Sequence, residues 1–197
     1  VFGGTYYKPE QWRDILQNLA RGYEIDQNRF EKYADDLKQG IVSIDKIARV
    51  KEEADFAYED LLNIILKIRK RFDKENGGTF GAPKFPLPVN YFYLMRFYYH
   101  SGEKDVLKQV LLTLEKMSKG GIYDQLGGGF SRYSVDRNWL VPHFEKMLYD
   151  NAQLVSLYSE AYRLNPDTEY KKVVYETLRF VERELMSSEG GFYSSLD

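Results

Sequence analysis

The chain has 197 residues, of which 43% are hydrophobic and 29% charged, and its formal net charge is −2. This composition indicates a globular protein with a core. The near-neutral net charge gives no positive potential that would attract nucleic acid or an anionic membrane surface. No apolar run approaches the roughly 20 residues that a membrane span needs. Because the chain has no cysteine, disulfides, thiolate metal ligands and cysteine nucleophiles are excluded, which fits a cytoplasmic protein.

The N-terminal residues predict a short extended segment followed by one helix. Residues 1–9 are rich in Val, Phe, Thr and Tyr around a Gly-Gly pair, which is typical of a strand. Pro9 then begins a helix that we expect to end near Gly22. Because one strand and one helix cannot bury a core, we interpret residues 1–22 as the end of another domain.

The following residues predict a helical linker and then a series of amphipathic helices. Asp26 is a suitable N-cap for a helix that Gly40 is expected to end, and residues 23–53 are interpreted as the linker. From Ala54 onward, apolar residues recur with the 3.6-residue period of an α-helix. The helices predicted there span residues 54–72, 88–101, 104–118, 143–163 and 168–186.

Glycine-rich loops alternate with short connections along this helical part. Loops with a Gly-Gly pair begin at residues 77, 120 and 190. Antiparallel helices place alternate connections at the same end, so the three loops are expected to share one face. The two helices that directly follow a glycine loop are apolar on most sides, as inner helices would be. The predicted fold class is therefore all-α, an α/α toroid of which residues 54–197 supply the first half.

The stretch from Gly120 to Asn151 contains most of the candidate site residues. His143 is predicted to lie in the first turn of an inner helix, facing the mouth of the ring, with Asp150 two turns further along the same stripe. A histidine near a carboxylate is a suitable acid–base pair for proton transfer at a sugar carbon or a glycosidic oxygen. The alternative is a structural histidine whose ring bonds a loop carbonyl.

Three loop aspartates are further candidates. Asp124 could act with a second carboxylate in the manner of a glycoside hydrolase, and Asp136 and Asp197 could bind the substrate. Aspartates beside glycines also form Asx turns that only shape a loop, and this alternative is stronger for Asp136 than for Asp124.

An arginine and two aromatic residues of the same stretch are candidates for substrate binding. Arg132, Tyr133 and Trp139 could stack on a polar ring or form hydrogen bonds with it, or they could be wedges that hold the long loop together. Glu145 is expected to have a structural role, either capping loop amides or pairing with Arg132 or Arg137.

We expect no metal and no cofactor. The sequence has no HExxH motif, and its two histidines, His100 and His143, are far apart. His100 is expected at the C-terminal end of its helix, on the face opposite the loops. The glycines at 127–129 lack the flanking pattern of a phosphate-binding loop. Lys84 and Phe85 lie in the segment APKFP and could reach the mouth or belong to a rigid plug.

Three loop segments are long and distinctive: GGTFGAPKFP (77–86), GGIYDQLGGGFSRYSVDRNWLVPHFEKMLYDNAQL (120–154) and GGFYSSLD (190–197). They resemble the YyaL-type thioredoxin-domain proteins, which include spermatogenesis-associated animal members. The opening VFGGTYYKP resembles the segment that closes the thioredoxin-like domain of that family. The resemblance implies a thioredoxin-like domain followed by a toroid of the six-hairpin-glycosidase or sugar 2-epimerase kind. We therefore expect the chain to be a piece without most of that domain, its redox Cys motif and the second half of the toroid.

Two functional hypotheses follow. In the first, the full-length protein is a carbohydrate epimerase or hydrolase that binds a small sugar-like substrate at the glycine-loop mouth, and this chain alone is inactive. In the second, the toroid is a non-catalytic scaffold or partner-binding unit attached to a thioredoxin-like domain. Trp139 and Tyr133 would then be buried, and no pocket would open between His143 and Asp124. Because a half ring exposes its inner helices, we expect the chain to self-associate.

Overall fold

The computed structural model describes residues 7–45 and 57–196, which belong to two compact units divided after residue 56. The described part of the first unit consists of two helices, and that of the second consists of five α-helices, a π-helical turn and four very short strands. The helices are α1 (Pro9–Ile25), α2 (Gln27–Asp45), α3 (Tyr58–Arg69), α4 (Pro88–Ser101), α5 (Lys104–Lys119), α6 (Leu148–Leu164) and α7 (Thr168–Phe180), with the π-helical turn at Val181–Leu185. The strands are β1 (Tyr133–Ser134), β2 (Pro142–His143), β3 (Lys146–Met147) and β4 (Ser195–Leu196).

In the first unit, α1 and α2 form a helical hairpin. Asp26 caps α2 as predicted, because its Oδ1 atom accepts a hydrogen bond from the Arg29 amide at 3.1 Å. The predicted stop at Gly40 is wrong, since α2 continues through it. One glycine costs a helix only about 1 kcal/mol, which the following turn can offset. Residues 1–6 of the predicted strand lie outside the described residues, and the boundary at residue 22 stays a prediction.

In the second unit, α4 packs against α5 and α6, and α6 packs against α7. The predicted bounds of α4 are confirmed, because Pro88 starts it and Gly102 ends it in the left-handed conformation with φ of +72°. Leu94 of α4, Val110 of α5 and Leu157 of α6 are buried in one core. The sequence rule of short connections between antiparallel helices therefore predicts this packing correctly.

The predicted helix at residues 143–163 is wrong at its start, because α6 begins only at Leu148. The preceding residues instead form two strand pairs with other loops. Strand β2 pairs with β1, and β3 pairs with β4. Leu148 also donates its amide hydrogen to the Ser194 carbonyl at 2.9 Å. These non-local hydrogen bonds override the local helical pattern.

The three glycine loops contain related backbone turns, which are equally long in the first two loops and one residue shorter in the third. In each turn, the amide of the first residue donates to the carbonyl of the last glycine, and the carbonyl of the first residue accepts from the amide of the preceding glycine. The two flanking residues then pair as an isolated β-bridge. The turns run from Asp73 to Gly78, from Asp124 to Gly129 and from Ser187 to Gly191. The hydrogen-bond pattern of this turn thus recurs along the chain, most closely between the first two loops.

Two lysines lock the first two of these turns. Lys84 donates from Nζ to Asp73 Oδ2 at 2.8 Å and to the carbonyl of the first glycine at 2.7 Å. Lys146 donates in the same way to Asp124 Oδ2 at 2.8 Å and to the equivalent carbonyl at 2.9 Å. The third turn begins with Ser187, and its hydroxyl accepts only the Gly191 amide hydrogen at 3.1 Å. We call the Asp–Gly-Gly–Lys arrangement the lysine-locked turn.

Hydrogen bonds also connect each loop with the next. The backbones of Lys84 and Ser134 exchange two hydrogen bonds of 2.8 Å, which joins the first loop to the second. Pairing of β3 with β4 joins the second loop to the third. The three loops therefore lie side by side on one face, as the alternation of long and short connections predicts.

Candidate functional site

A stack of aromatic rings lies where the first two glycine loops meet. Tyr133 of β1 faces His143 of β2 across the strand pair, with ring centroids 4.6 Å apart and ring planes 14° from parallel. Phe85 of the first loop contacts Tyr133, with ring centroids 4.7 Å apart. Phe85 is 42% exposed, and the side chain of His143 is also 42% exposed. The stack thus presents an aromatic surface that a ligand can reach.

His143 does not lie in a helix, so the predicted stripe with Asp150 is wrong. The carboxylate beside the His143 ring is that of Glu145, whose Oε2 atom lies 3.8 Å from His143 Nδ1. This Nδ1 atom is buried and has no hydrogen-bond partner, so the predicted alternative of a bond from this atom to a loop carbonyl is not observed.

Glu145 also pairs with Arg132, which is one of the two partners that the sequence suggests. Arg132 Nη1 lies 3.2 Å from Glu145 Oε2, and the Arg132 amide donates to the Glu145 carbonyl at 2.8 Å. The other suggested partner, Arg137, instead lies 3.5 Å from the exposed carboxylate of Glu75. Glu145 therefore sits between an arginine and a histidine.

A cavity of 210 Å³ adjoins the stack through Phe85 and is also lined by Arg132. Asp150 and Tyr149, in the first turn of α6, line the same cavity. Burial raises the pKa of Asp150 above its usual value of 3.8, and the charge of Arg132 opposes this rise. The further lining residues are Pro86, Leu87, Pro88, Val89, Asn90 and Gln153. A carboxyl with a raised pKa in a cavity is a candidate for proton transfer.

Asp124 lies in the second lysine-locked turn, where its surroundings do not suit a catalytic acid. Burial alone would raise its pKa, but the hydrogen bonds from Lys146 and from the amides of Gly127 and Leu126 lower it to about 2. The carboxyl group is therefore ionised at neutral pH and engaged in the turn. Asp124 is better explained as part of the loop frame than as the predicted catalytic residue.

Asp136 and Trp139 also have structural surroundings. The Asp136 carboxylate accepts hydrogen bonds from the amides of residues 138, 140 and 141 and from the Ser134 hydroxyl, which is the Asx-type alternative. Burial alone would raise the pKa of Asp136, but these hydrogen bonds stabilise the charged carboxylate and lower the pKa below its usual value. Trp139 is fully buried, and its Nε1 atom donates to the Asn76 carbonyl at 2.9 Å. It cannot stack on a ligand, so its predicted role in substrate binding is wrong. Asp197 lies outside the described residues.

Three polar residues build this face from below: Lys84, which the sequence offered as part of a rigid plug, and Lys146 and Asn151, which it did not indicate. Lys84 is only 2% exposed, lies 5.4 Å from the centre of the Trp139 ring and precedes Phe85 of the stack. Lys146 follows Glu145 and lies 4.5 Å from the centre of the Phe180 ring. Asn151 is fully buried and bonds both the amide and the carbonyl of Phe130. The spacing of an aspartate three or four residues before a Gly-Gly pair is the sequence signal that could have indicated the two lysine-locked turns.

Comparison with curated proteins identifies relatives along almost the whole chain. Spermatogenesis-associated protein 20 of Homo sapiens is 35% identical over 99% of the chain, and the same protein of Mus musculus is 34% identical over 99%. The chain belongs to this family. An uncharacterized protein of Caenorhabditis elegans is 32% identical over 100% of the chain. The chain spans about a quarter of the length of its mammalian relatives, 26% in both cases. No protein-family model matches it.

Comparison with solved structures identifies the fold. A sugar epimerase from a ruminal bacterium superposes with a TM-score of 0.61 at 21% identity, covering 71% of this chain and 40% of that one. Cellobiose 2-epimerase from Bacillus thermoamylovorans gives a TM-score of 0.61 at 17% identity over the same shares, and a D-mannose isomerase gives 0.53 at 17% identity, covering 70% of this chain and 39% of that one. The predicted α/α toroid of the six-hairpin-glycosidase type is confirmed. Identities this low carry the fold and not the activity.

Two features of the described residues bear on the expected partners. Within residues 7–45 and 57–196, no helix is long and apolar enough to cross a membrane. The same residues contain no cluster of three or more His, Asp or Glu side chains that could hold a metal ion.

Proposed function

We propose that the glycine-loop face binds a neutral sugar ring and, in the full-length protein, transfers protons to and from it in an epimerase or hydrolase reaction. The observation that carries this proposal is the cavity beside the aromatic stack, in which the half-buried Asp150 has a raised pKa and lies near Arg132. Its volume of 210 Å³ is small beside the roughly 300–1,000 Å³ typical of pockets for drug-sized ligands. One small polar ring suits it.

The side chains have the chemistry that a sugar requires. Phe85, which lines the cavity and is 42% exposed, offers a flat apolar face on which the C–H groups of a sugar can lie. Arg132 and Asp150 offer hydrogen-bond donors and acceptors for hydroxyl groups. His143 would act as a base and Asp150 as an acid at a sugar carbon or glycosidic oxygen. The structural neighbours are sugar epimerases and isomerases, which agrees with this substrate class.

The competing proposal is a non-catalytic scaffold, and specific observations favour it. Asp124, Asp136 and Trp139 are engaged in holding the loop, as a brace would require. The open cavity and the orphaned Nδ1 atom of His143 favour the sugar-binding proposal instead. The two proposals differ in whether the glycine-loop face binds a sugar, so one binding experiment separates them.

The experiment measures the thermal unfolding of the 197-residue chain in increasing D-mannose, D-glucose or cellobiose. A sugar at 100 times its Kd should stabilise the chain by about 2.7 kcal/mol. Asp150→Asn and Arg132→Met should each raise the Kd for the sugar by about tenfold. The control is Asp105→Asn, which changes an exposed carboxylate at the start of α5 and should leave the Kd unchanged. If none of the three sugars raises Tm, the scaffold proposal is favoured. In the full-length protein, His143→Ala should abolish turnover without unfolding.

A further inference from the structure

The position of Glu145 gives it a second role besides its pairing with Arg132. One oxygen atom, Oε2, lies 3.2 Å from Arg132 Nη1 and 3.8 Å from His143 Nδ1. The second distance is too long for a hydrogen bond, but a movement of the Glu145 carboxylate by about 1 Å toward Nδ1 would form one. Hydrogen bonds at catalytic sites are often long before a ligand binds.

The stack on Tyr133 fixes the plane of the His143 ring but not its direction. A half-turn of the imidazole about its Cβ–Cγ bond keeps the plane and exchanges Nδ1 with a carbon atom. Only a neighbour that distinguishes nitrogen from carbon can select one of the two orientations. In this structure Nδ1 is the buried ring nitrogen, it faces Glu145, and it has no other partner.

We propose that Glu145 is the positioning residue of His143. By accepting a hydrogen bond from Nδ1–H, the carboxylate holds the neutral ring in the tautomer that leaves Nε2 unprotonated. Because the ring is 42% exposed while Nδ1 is buried, the accessible part of the ring lies away from Nδ1, on the side that carries Nε2. Nε2 is then the atom that takes a proton from a ligand. This inference rests on the proposed function, in that it names which nitrogen would act as the base there.

Arg132 sets how strongly Glu145 holds His143, since both side chains compete for the same oxygen atom. The side chains of Arg132 and Glu145 are 44% and 31% exposed, so their pair is partly solvated and easily rearranged. A ligand that draws Arg132 toward the cavity would release Glu145 to His143. Binding of the ring substrate and orientation of the base are thereby coupled.

The test is the tautomeric state of His143, read from the ¹⁵N chemical shifts of its ring nitrogens in the labelled 197-residue chain at about pH 9, where imidazole is neutral. The chain has only two histidines, so His100 serves as an internal reference. We expect the Nδ1–H form in the unaltered chain. In Glu145→Ala, the ratio of Nδ1–H to Nε2–H should fall severalfold, because the carboxylate that lies 3.8 Å from Nδ1 and favours a proton on this atom is removed. Glu145→Met, which keeps the length of the side chain, should give the same result.

Arg132→Met is the matched control, because it breaks the same ion pair but leaves the carboxylate in place. It should retain the Nδ1–H form. The proposal is overturned if Glu145→Ala and Glu145→Met keep the original tautomer, or if Arg132→Met changes it as much as they do, since a loosened loop would then be the cause. The measurement needs no sugar, so its failure and the failure of the sugar titration are separate outcomes.

Discussion

Replacing Lys84 by methionine should destabilise the second unit by about 3 kcal/mol. The side chains of Lys84 and Asp73 are 1% and 0% exposed and form an ion pair of 2.8 Å. Removing one partner of a buried pair typically costs about 3–5 kcal/mol, because a charge is left without its counterion. Here the amides of Glu75 and Asn76 still donate to the Asp73 carboxylate, so we expect the lower end of that range. A total stability of about 5–15 kcal/mol leaves the variant folded.

The lowered pKa of Asp73 implies a contribution of similar size. Burial would raise that pKa, but the hydrogen bonds from Lys84 and the two amides lower it from 3.8 to about 2, which corresponds to about 2 kcal/mol of stability at neutral pH. Because the folded-state pKa is lowered, the contribution is present above about pH 4 and is lost as the pH falls toward 2. The difference in free energy of unfolding between Lys84→Met and the unaltered protein should therefore become smaller at low pH.

The assay is urea unfolding followed by the fluorescence of Trp139, which is buried 5.4 Å from the lysine. Trp12 is the second tryptophan, so it is changed to phenylalanine in the reference protein and in each lysine variant, which leaves Trp139 as the only fluorescent indole. Lys119→Met is the matched control, because its pair with Glu115 is equally short at 2.7 Å but the two side chains are 64% and 51% exposed. It should change stability by less than about 0.5 kcal/mol. Equal costs for the two lysine variants would refute the reasoning that burial decides the effect.

Four other predictions test the glycine loops, the core and the surface. In urea unfolding, Gly78→Ala should lower the free energy of unfolding more than Gly81→Ala. Both glycines have a positive φ, +70° and +102°, but only at Gly78 would the new Cβ meet the buried indole of Trp139, at 2.8 Å. Equal losses would show that backbone strain alone acts. Tyr158→Phe should cost about 1 kcal/mol in the same assay, because it removes a buried 2.8 Å hydrogen bond, whereas a change near zero would mean that the bond contributes nothing. Lys146→Met should raise the pKa of Asp124 from about 2 toward its usual value of 3.8, as measured by NMR titration of its carboxyl carbon, so that Asp124 contributes less stability at neutral pH and stability falls less steeply in acid; an unchanged titration would place the lysine outside the turn. Sedimentation velocity should show the chain as a dimer or larger assembly, because apolar side chains of the inner helix α4, such as Tyr99 at 78% exposed, are uncovered; a stable monomer would count against the half-ring interpretation.

The sequence predicts an element well where local signals are sufficient. Pro88 and Gly102 mark both ends of α4, and the apolar residues between them place it in the core. Asp26 likewise marks the start of α2. The order of long and short connections predicts that the glycine loops adjoin each other, because it follows from antiparallel packing alone.

The site was harder to predict because its geometry depends on distant partners. Residues 142–147 continue the helical pattern of α6, and only their pairing with β1 and β4 makes them strands. This pairing moves His143 off the predicted stripe and places it on Tyr133. A buried Lys84 is likewise improbable from composition, since charged side chains are rarely buried without a partner, and its partner lies 11 residues away.

The lysine-locked turns have a consequence for how this surface can vary. In each of the first two turns the anchoring lysine is a direct neighbour of a residue at the mouth: Lys84 precedes Phe85, and Lys146 follows Glu145. Successive side chains of an extended backbone point to opposite sides, so the lysine holds the chain from beneath while its neighbour faces outward. Phe85 and Glu145 can then be exchanged for other side chains while the backbone beneath them is kept in place. The lysines that hold the backbone are thus separate from the neighbouring side chains that face the mouth.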